Sequence, residues 1–328
     1  MMMIYKPTPN FFLASAFLAI ATWTNIARAE PYPSRAVRLV VPYAPGGLPD
    51  TVARTVAQRL QESLKQPFTV DNRPGGNGAV AAASLATSPA DGYHLLITDG
   101  SMLTINPLIT KRLAYDPIKQ FTPVSLIASS PLFLAVNSKV SATTFDEFIT
   151  LAKSKPGAMN YGSSGIGSTH HLTAESMKAE LGIDIAHVPF KGSGASVPAL
   201  VGEQVDMVFA AYPSLASFAK NGKVRILATN SLKRSALAPS IPAISERVPN
   251  FDFAVIVVAL APTGTSSEIV KLLSQEIAKI SKNEDVIKTM NGAGIEMVGG
   301  GPEALKTALD AERARGAAAV KQAGIKPE

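Results

Sequence analysis

Along the chain, short β-branched and aliphatic runs alternate with Gly-, Ser- and Pro-rich loops and with stretches whose apolar positions recur every three or four residues. The first unit opens with Val37-Arg38-Leu39-Val40-Val41, a run that predicts a strand. After a loop at 43–49 the period changes: Val52, Val56 and Leu60, with Ala53, Ala57 and Leu64, share one face of a helix starting near Asp50. Asp50 is the expected N-cap, its carboxylate accepting from free amides of the first turn. By the same criteria, strands are predicted over 68–72, 93–98, 132–136, 159–162, 185–188, 206–210, 224–229 and 253–260. Helices are predicted over 79–87, 145–153, 169–181, 195–201, 214–221, 266–282, 284–293 and 302–323.

This alternation implies an α/β protein with parallel sheets covered by helices. The elements are too many for one simple sheet, so two lobes are expected, each with its own sheet. Crossings near 122–130 and 248–261 would make the second lobe, residues 126–253, an insertion into a first lobe built from 30–125 and 254–328. Two crossings form a hinge, and ligands of open α/β sheets bind beyond the carboxyl ends of the strands, here in a cleft between lobes.

Residues 1–29 break the pattern, with Lys6, an apolar run over 11–20 that weakens toward Trp23, and Ala27-Arg28-Ala29 before Glu30-Pro31. This reads as a secretory signal peptide cleaved after Ala29, so the mature chain is expected to be exported. The apolar run is well short of the roughly 20 residues a membrane span needs. Composition then narrows the classes: 46% hydrophobic and 17% charged residues argue against disorder. With no cysteine, a disulfide framework, a thiolate metal site and a cysteine nucleophile are all excluded. Part of the formal charge of +6 belongs to Lys6 and Arg28 of the leader, and the remaining Lys and Arg are dispersed. A mild, scattered excess suits attraction of small anions and not nucleic acid.

Several loops have the chemistry to hold such an anion. Tyr43-Ala44-Pro45-Gly46-Gly47 sits between the first strand and the helix near Asp50, where glycines let a ligand approach the backbone and a helix start offers free N–H groups. Tyr161-Gly162-Ser163-Ser164-Gly165-Ile166-Gly167-Ser168-Thr169 repeats that arrangement with hydroxyls. It nearly matches a Walker phosphate loop, but Ser168 stands where the lysine would be, which argues against a nucleotide. Arg73 has Asp71 and Asp91 as alternative partners to an anion. Lys191, and Tyr212 with Pro213, follow further strands, and Ser101 follows the strand at 93–98. The candidate ligand residues are therefore Tyr43, Pro45, Gly46, Gly47, Asp50, Ser101, Ser163, Ser164, Gly165, Ser168, Thr169, Lys191, Tyr212 and Pro213. Catalytic readings are poor: G-x-S-x-G and H-E-x-x-H are absent, and His170 and His171, adjacent on a helix, cannot converge on one metal. His94 and His187 read as packing or surface residues within strands, a Ser164–His170 pairing stays open, and neither cofactor nor metal is expected.

Taken in order, Tyr32-Pro33-x-Arg35, Leu39-Val40-Val41-Pro42-Tyr43-Ala44-Pro45-Gly46-Gly47, Asp71-Asn72-Arg73-Pro74-Gly75, Ala90-Asp91-Gly92-Tyr93, Tyr161-Gly162-Ser163, His171-Leu172, Val188-Pro189-Phe190-Lys191-Gly192 and Ala261-Pro262-x-Gly264-Thr265 resemble the Bug/TctC family of periplasmic substrate-binding proteins. The resemblance implies a two-lobed periplasmic binding protein of type II-like fold, with helices on both faces of two sheets. It would be a monomer closing on a small carboxylate that it delivers to the permease of a tripartite tricarboxylate transporter. In that family the loops matching 45–47 and 163–169 meet the ligand carboxylate from opposite lobes. The chain departs from the family at 252–260, with Ile256 and Val258 where a Trp and a Gly are common. The residues leave two other functions open: a ligand-sensing partner of a membrane sensor kinase, and a hydrolase on the same scaffold.

Overall fold

Val37, Leu39 and Val41 enter one apolar core and Val40 another, so the first strand is buried on both faces. The computed structural model describes residues 1–3, 31–43, 45–75, 78–190 and 193–327. The expected leader, beyond residues 1–3, lies outside them, and the architecture below is that of the unit Tyr32–Glu328. Its strands are β1 (Val37–Val41), β2 (Phe68–Asn72), β3 (His94–Asp99), β4 (Phe121–Ser130), β5 (Leu132–Asn137), β6 (Met159–Ser163), β7 (Ile185–Pro189), β8 (Met207–Ala211), β9 (Val224–Thr229), β10 (Val255–Pro262) and β11 (Glu296–Gly300). The helices are α1 (Leu48–Leu64), α2 (Ala79–Ala86), α3 (Ser101–Thr104), α4 (Asn106–Ile109), α5 (Phe145–Ser154), α6 (Thr169–Leu181), α7 (Ser193–Val201), α8 (Tyr212–Lys220), α9 (Ser267–Ile280), α10 (Glu284–Gly292) and α11 (Pro302–Gln322).

Two sheets result, ordered β11-β4-β10-β3-β1-β2 and β7-β6-β8-β5-β9. Both are mixed, where parallel sheets were expected. β1 is parallel to β2 and β3, but β10 runs antiparallel to β3 and β4, and β11 antiparallel to β4. In the second sheet β6 is parallel to β7 and β8, while β5 is antiparallel to β8 and β9. The reason is connectivity: β4 passes through Pro131 into β5 of the other sheet, and β10 brings the chain back. Strands entered without a crossover helix are not held to the parallel direction.

Residues 122–130, expected only as a crossing, belong to the ten-residue strand β4. Its Thr, Pro and Ser positions hide it from an apolar count, and burial on both faces removes the alternation that would mark it. β11 and the short α3 and α4 were likewise not expected. Helix α1 begins at Leu48, with extended Gly47 as N-cap and Pro49 in the first turn. Asp50 therefore sits inside the first turn and does not cap it, a correction to the expected role.

Each sheet is covered on both faces. One face of the first packs against Val52, Val56 and Leu60 of α1 and Leu273 and Ile277 of α9. Its other face packs against Leu85 of α2, Met102 of α3 and Leu305 of α11. The second sheet lies between α5 with α6, through Phe148 and Met177, and α7 with α8, through Leu200 and Leu215. Helix α11 also reaches α6, where Ile105, Leu172, Ala319 and Val320 form a small apolar cluster joining elements of the two sheets.

Candidate ligand site at two strand-to-helix loops

Between β1 and α1 the chain turns through Gly46 at φ 88°, a left-handed conformation that favours glycine, and a Cβ built there meets nothing within 4 Å. Asp50, buried in the first turn, holds this turn from beneath. One carboxylate oxygen accepts from the Gly46 amide at 2.8 Å and from Arg54 Nε at 2.9 Å; the other accepts from Asn72 Nδ2 at 2.8 Å. Asn72 also donates to the Tyr43 carbonyl at 3.0 Å, which ties the far end of the loop to the end of β2. Burial pushes the Asp50 carboxyl up, but hydrogen bonds from Arg54, Gly46 and Asn72 outweigh it and hold the group below its ordinary value. Both oxygens of Asp50 are thus used inside the loop.

Tyr43 and Ser101 meet at Asp99, a residue the sequence did not single out. The Ser101 hydroxyl donates to Asp99, and the Asp99 charge bears on the Tyr43 hydroxyl. Burial first, and then the Asp99 charge, push the Tyr43 hydroxyl far above its ordinary value.

The β6–α6 loop is organised by neutral groups. Ser163 Oγ accepts from the Gly165 amide at 3.1 Å, lies 3.2 Å from the Gly165 carbonyl, and bonds to His187 Nε2 at 2.7 Å. Ser168 donates to the Gly165 carbonyl at 2.7 Å and, as N-cap of α6, accepts from the His171 amide at 3.2 Å. Gly167, at φ 75°, donates its amide to His171 Nδ1 at 3.1 Å. The side-chain oxygens of Ser163 and Ser168 and the amides of Gly165 and Gly167 are thereby engaged within the loop or by His171 and His187. Ser164 Oγ is buried with no partner among the described residues, and Thr169 and His170 open the first turn of α6, whose leading amides have no intrahelical acceptor.

Residues 52–325 match the model of the tripartite tricarboxylate transporter family receptor, TctC. The chain belongs to this family. Among solved structures, one described as a periplasmic transporter is 37% identical, with 90% of this chain and 99% of that one covered and a TM-score of 0.74. Rpa4515 of R. palustris, solved with adipate, is 35% identical over 90% of this chain and 100% of its own, with a TM-score of 0.77. MatC of Rhodopseudomonas palustris, solved with bound malate, is 28% identical over 88% and 100%, with a TM-score of 0.70. The fold is thus the periplasmic binding protein fold of TctC receptors, and the receptor is a solute-binding protein, not an enzyme.

In this TctC receptor the β6–α6 loop lies against α4, since a Cβ on Gly167 would come within 3.0 Å of Ile109. Tyr212 packs its ring on Phe133 at 5.2 Å, and Pro213 sits against Gly294 in the turn before β11. Lys191 lies outside the described residues. The pairing left open between Ser164 and His170 is not formed; Ser163 and His187 pair instead. The parallel register that sets Tyr161 opposite His187 and Ser163 opposite Pro189 brings the His187 ring beneath the loop.

There His187 stacks on His171, centroids 4.0 Å apart, and on Tyr161 at 4.9 Å. Burial lowers both imidazoles, His187 to about 4, and the neighbouring His171 adds to the effect on His187. Burial also takes His170 to about 4. A cavity of about 20 Å³ lies between α6 and α11, lined in part by Thr169, Leu172, Glu312 and Arg315. Glu312 Oε2 and Arg315 Nε are both buried without partners among the described residues, and burial, then the Asp99 charge, pushes the Glu312 carboxyl up to about 8.

Proposed function

We propose that this receptor captures a small organic acid by its carboxylate, between the 45–47 and 163–169 loops, and delivers it to the permease of a tripartite tricarboxylate transporter. The observation that carries the reading is the buried, unpartnered Ser164 hydroxyl in the loop that leads into α6, where the side chains of Ser163 and Ser168 are already engaged. A carboxylate is the complement of such a set: helix-start amides favour an anion, and hydroxyls orient it without adding charge. The family and the adipate and malate found in two relatives support this class of ligand. On this reading Ser164, Thr169 and Gly47 face the ligand, with Tyr43 and Ser101 around it, while Ser163, Ser168 and Asp50 shape the loops.

The same reading takes residues 30–125 and 254–328 as one lobe and 126–253 as the other, hinged at the two crossings. Residues 1–29 act as a leader, and the mature monomer works in the periplasm. The direct test is calorimetry with adipate, malate and citrate, accompanied by mass spectrometry of any acid that co-purifies. Saturable binding of at least one acid, recovered unchanged, is expected. Binding of none of them, or conversion of the bound acid, would reject the reading.

A further inference from the structure

Beneath the 163–169 loop lies a polar stack with no direct part in the ligand reading: Tyr161 of β6, His187 of β7, and His171, Glu175 and Lys178 of α6. We propose that His171 is a positioning residue for carboxylate capture, its unprotonated Nδ1 fixing the Gly167 amide and so aiming Ser164 and the leading amides of α6 at the ligand. The inference rests on the carboxylate reading above and deepens it by naming what sets the donors.

The argument is one of donors and acceptors. Gly167 N–H points at His171 Nδ1 from 3.1 Å, so that nitrogen carries no proton and the neutral ring keeps its hydrogen on Nε2. Protonation at Nδ1 would set two donors face to face, and the turn at Gly167 would have to move. Because Ser168 caps α6 and also bonds to the Gly165 carbonyl, movement at Gly167 carries Gly165 and Ser164 with it. The surroundings hold the ring neutral. Burial disfavours a charge on the ring, the Lys178 ammonium adds to that, and one face is covered by His187 stacked at 4.0 Å. Glu175 would favour imidazolium, but its carboxylate is already engaged by Lys178 at 2.7 Å and by the Tyr161 hydroxyl at 2.6 Å.

Two variants separate the roles of the side chain. His171→Asn keeps an acceptor near the Nδ1 position and cannot titrate; His171→Phe keeps a flat ring for stacking and has no acceptor. With adipate as probe at pH 7.5, His171→Phe should bind at least about tenfold more weakly than wild type, and His171→Asn within a few-fold. The ratio of wild-type to His171→Asn affinity, in which the acid's own protonation cancels, should fall as pH drops below 6. In ligand-free protein, the amide resonance of Gly167 should shift with the same midpoint as the His171 ring. Equal adipate affinity for wild type and His171→Phe, or a Gly167 amide that ignores the His171 titration, would overturn the proposal. If wild type binds no acid, the ligand reading falls, and the amide titration alone decides whether His171 sets the loop; it decides likewise if His171→Phe does not fold.

Discussion

In the β1–α1 loop a glycine at positive φ, Gly46, gives its amide to the side chain four residues on, Asp50; in the β6–α6 loop Gly167 does the same with His171. One geometric device thus serves both loops with opposite chemistry. Asp50 is an anion, and it needs Arg54 and Asn72 to be tolerated where it is buried. His171 is neutral and needs only to stay so. A ligand carboxylate approaching the first loop meets a compensated charge below the turn; at the second it meets none, together with a hydroxyl left free. The difference teaches that two Gly-rich strand-to-helix loops of similar sequence character are held by opposite chemistry; on the proposed reading the first is a clamped wall and the second offers the free donors.

The comparison breaks most visibly at Asp50. Asp50→Ala strands the Gly46 amide, Arg54 and Asn72 together, and is expected to cost about 2–4 kcal/mol of stability in denaturant unfolding. His171→Phe strands one neutral donor and should cost about 1–2 kcal/mol. A larger loss at His171 than at Asp50 would invert the assignment of wall and donor loop.

Acid should sharpen the contrast. The folded-state values of His187 and His170 fall from 6.5 to about 4, and that of His171 also lies below 6.5, so their neutral burial contributes stability that is full above pH 6.5 and, for His187 and His170, is lost as pH falls toward about 4. Asp50, lowered from 3.8, keeps its contribution through that window and loses it only in stronger acid. Thermal unfolding should therefore show Tm declining between pH 6.5 and 4.5, less steeply in His187→Asn, with Asp50→Ala parallel to wild type. Equal slopes for wild type and His187→Asn would remove His187 from the buried neutral stack.

A further pH effect comes from Glu312, outside both loops. Its carboxyl is raised from 4.5 to about 8, so the folded chain binds the extra proton and stability declines as pH rises from 4.5 through 8. Glu312→Gln should raise Tm relative to wild type at pH 9 and change it little at pH 5. The reverse order would show that Glu312 is ionised where it lies beside Arg315.

Much of this was legible in the residues. Helix α6 falls where its apolar spacing and Ser168 place it, and β1, β2 and β9 keep their expected bounds. Both Gly-rich loops stand out by composition. Strand β4 did not, because Ser and Thr buried on two faces carry no period. Nor did the roles within each loop: Asp50 looks like a cap until Gly47 and Pro49 start the helix earlier. The spacing of Gly167 and His171 is visible in the sequence, but the ring's direction depends on His187, which only the register of β6 and β7 brings alongside. Asp99, joining Tyr43 to Ser101, is invisible for the same reason, since strand-end neighbours are set by sheet order.

The most direct measurement is a crystal structure of the protein grown with adipate. The account predicts a carboxylate within hydrogen-bond distance of Ser164 Oγ and an amide at the start of α6, with the Gly167 amide still on His171 Nδ1. Adipate bound with neither carboxylate within hydrogen-bond distance of Ser164 Oγ or of an amide at the start of α6 would contradict it.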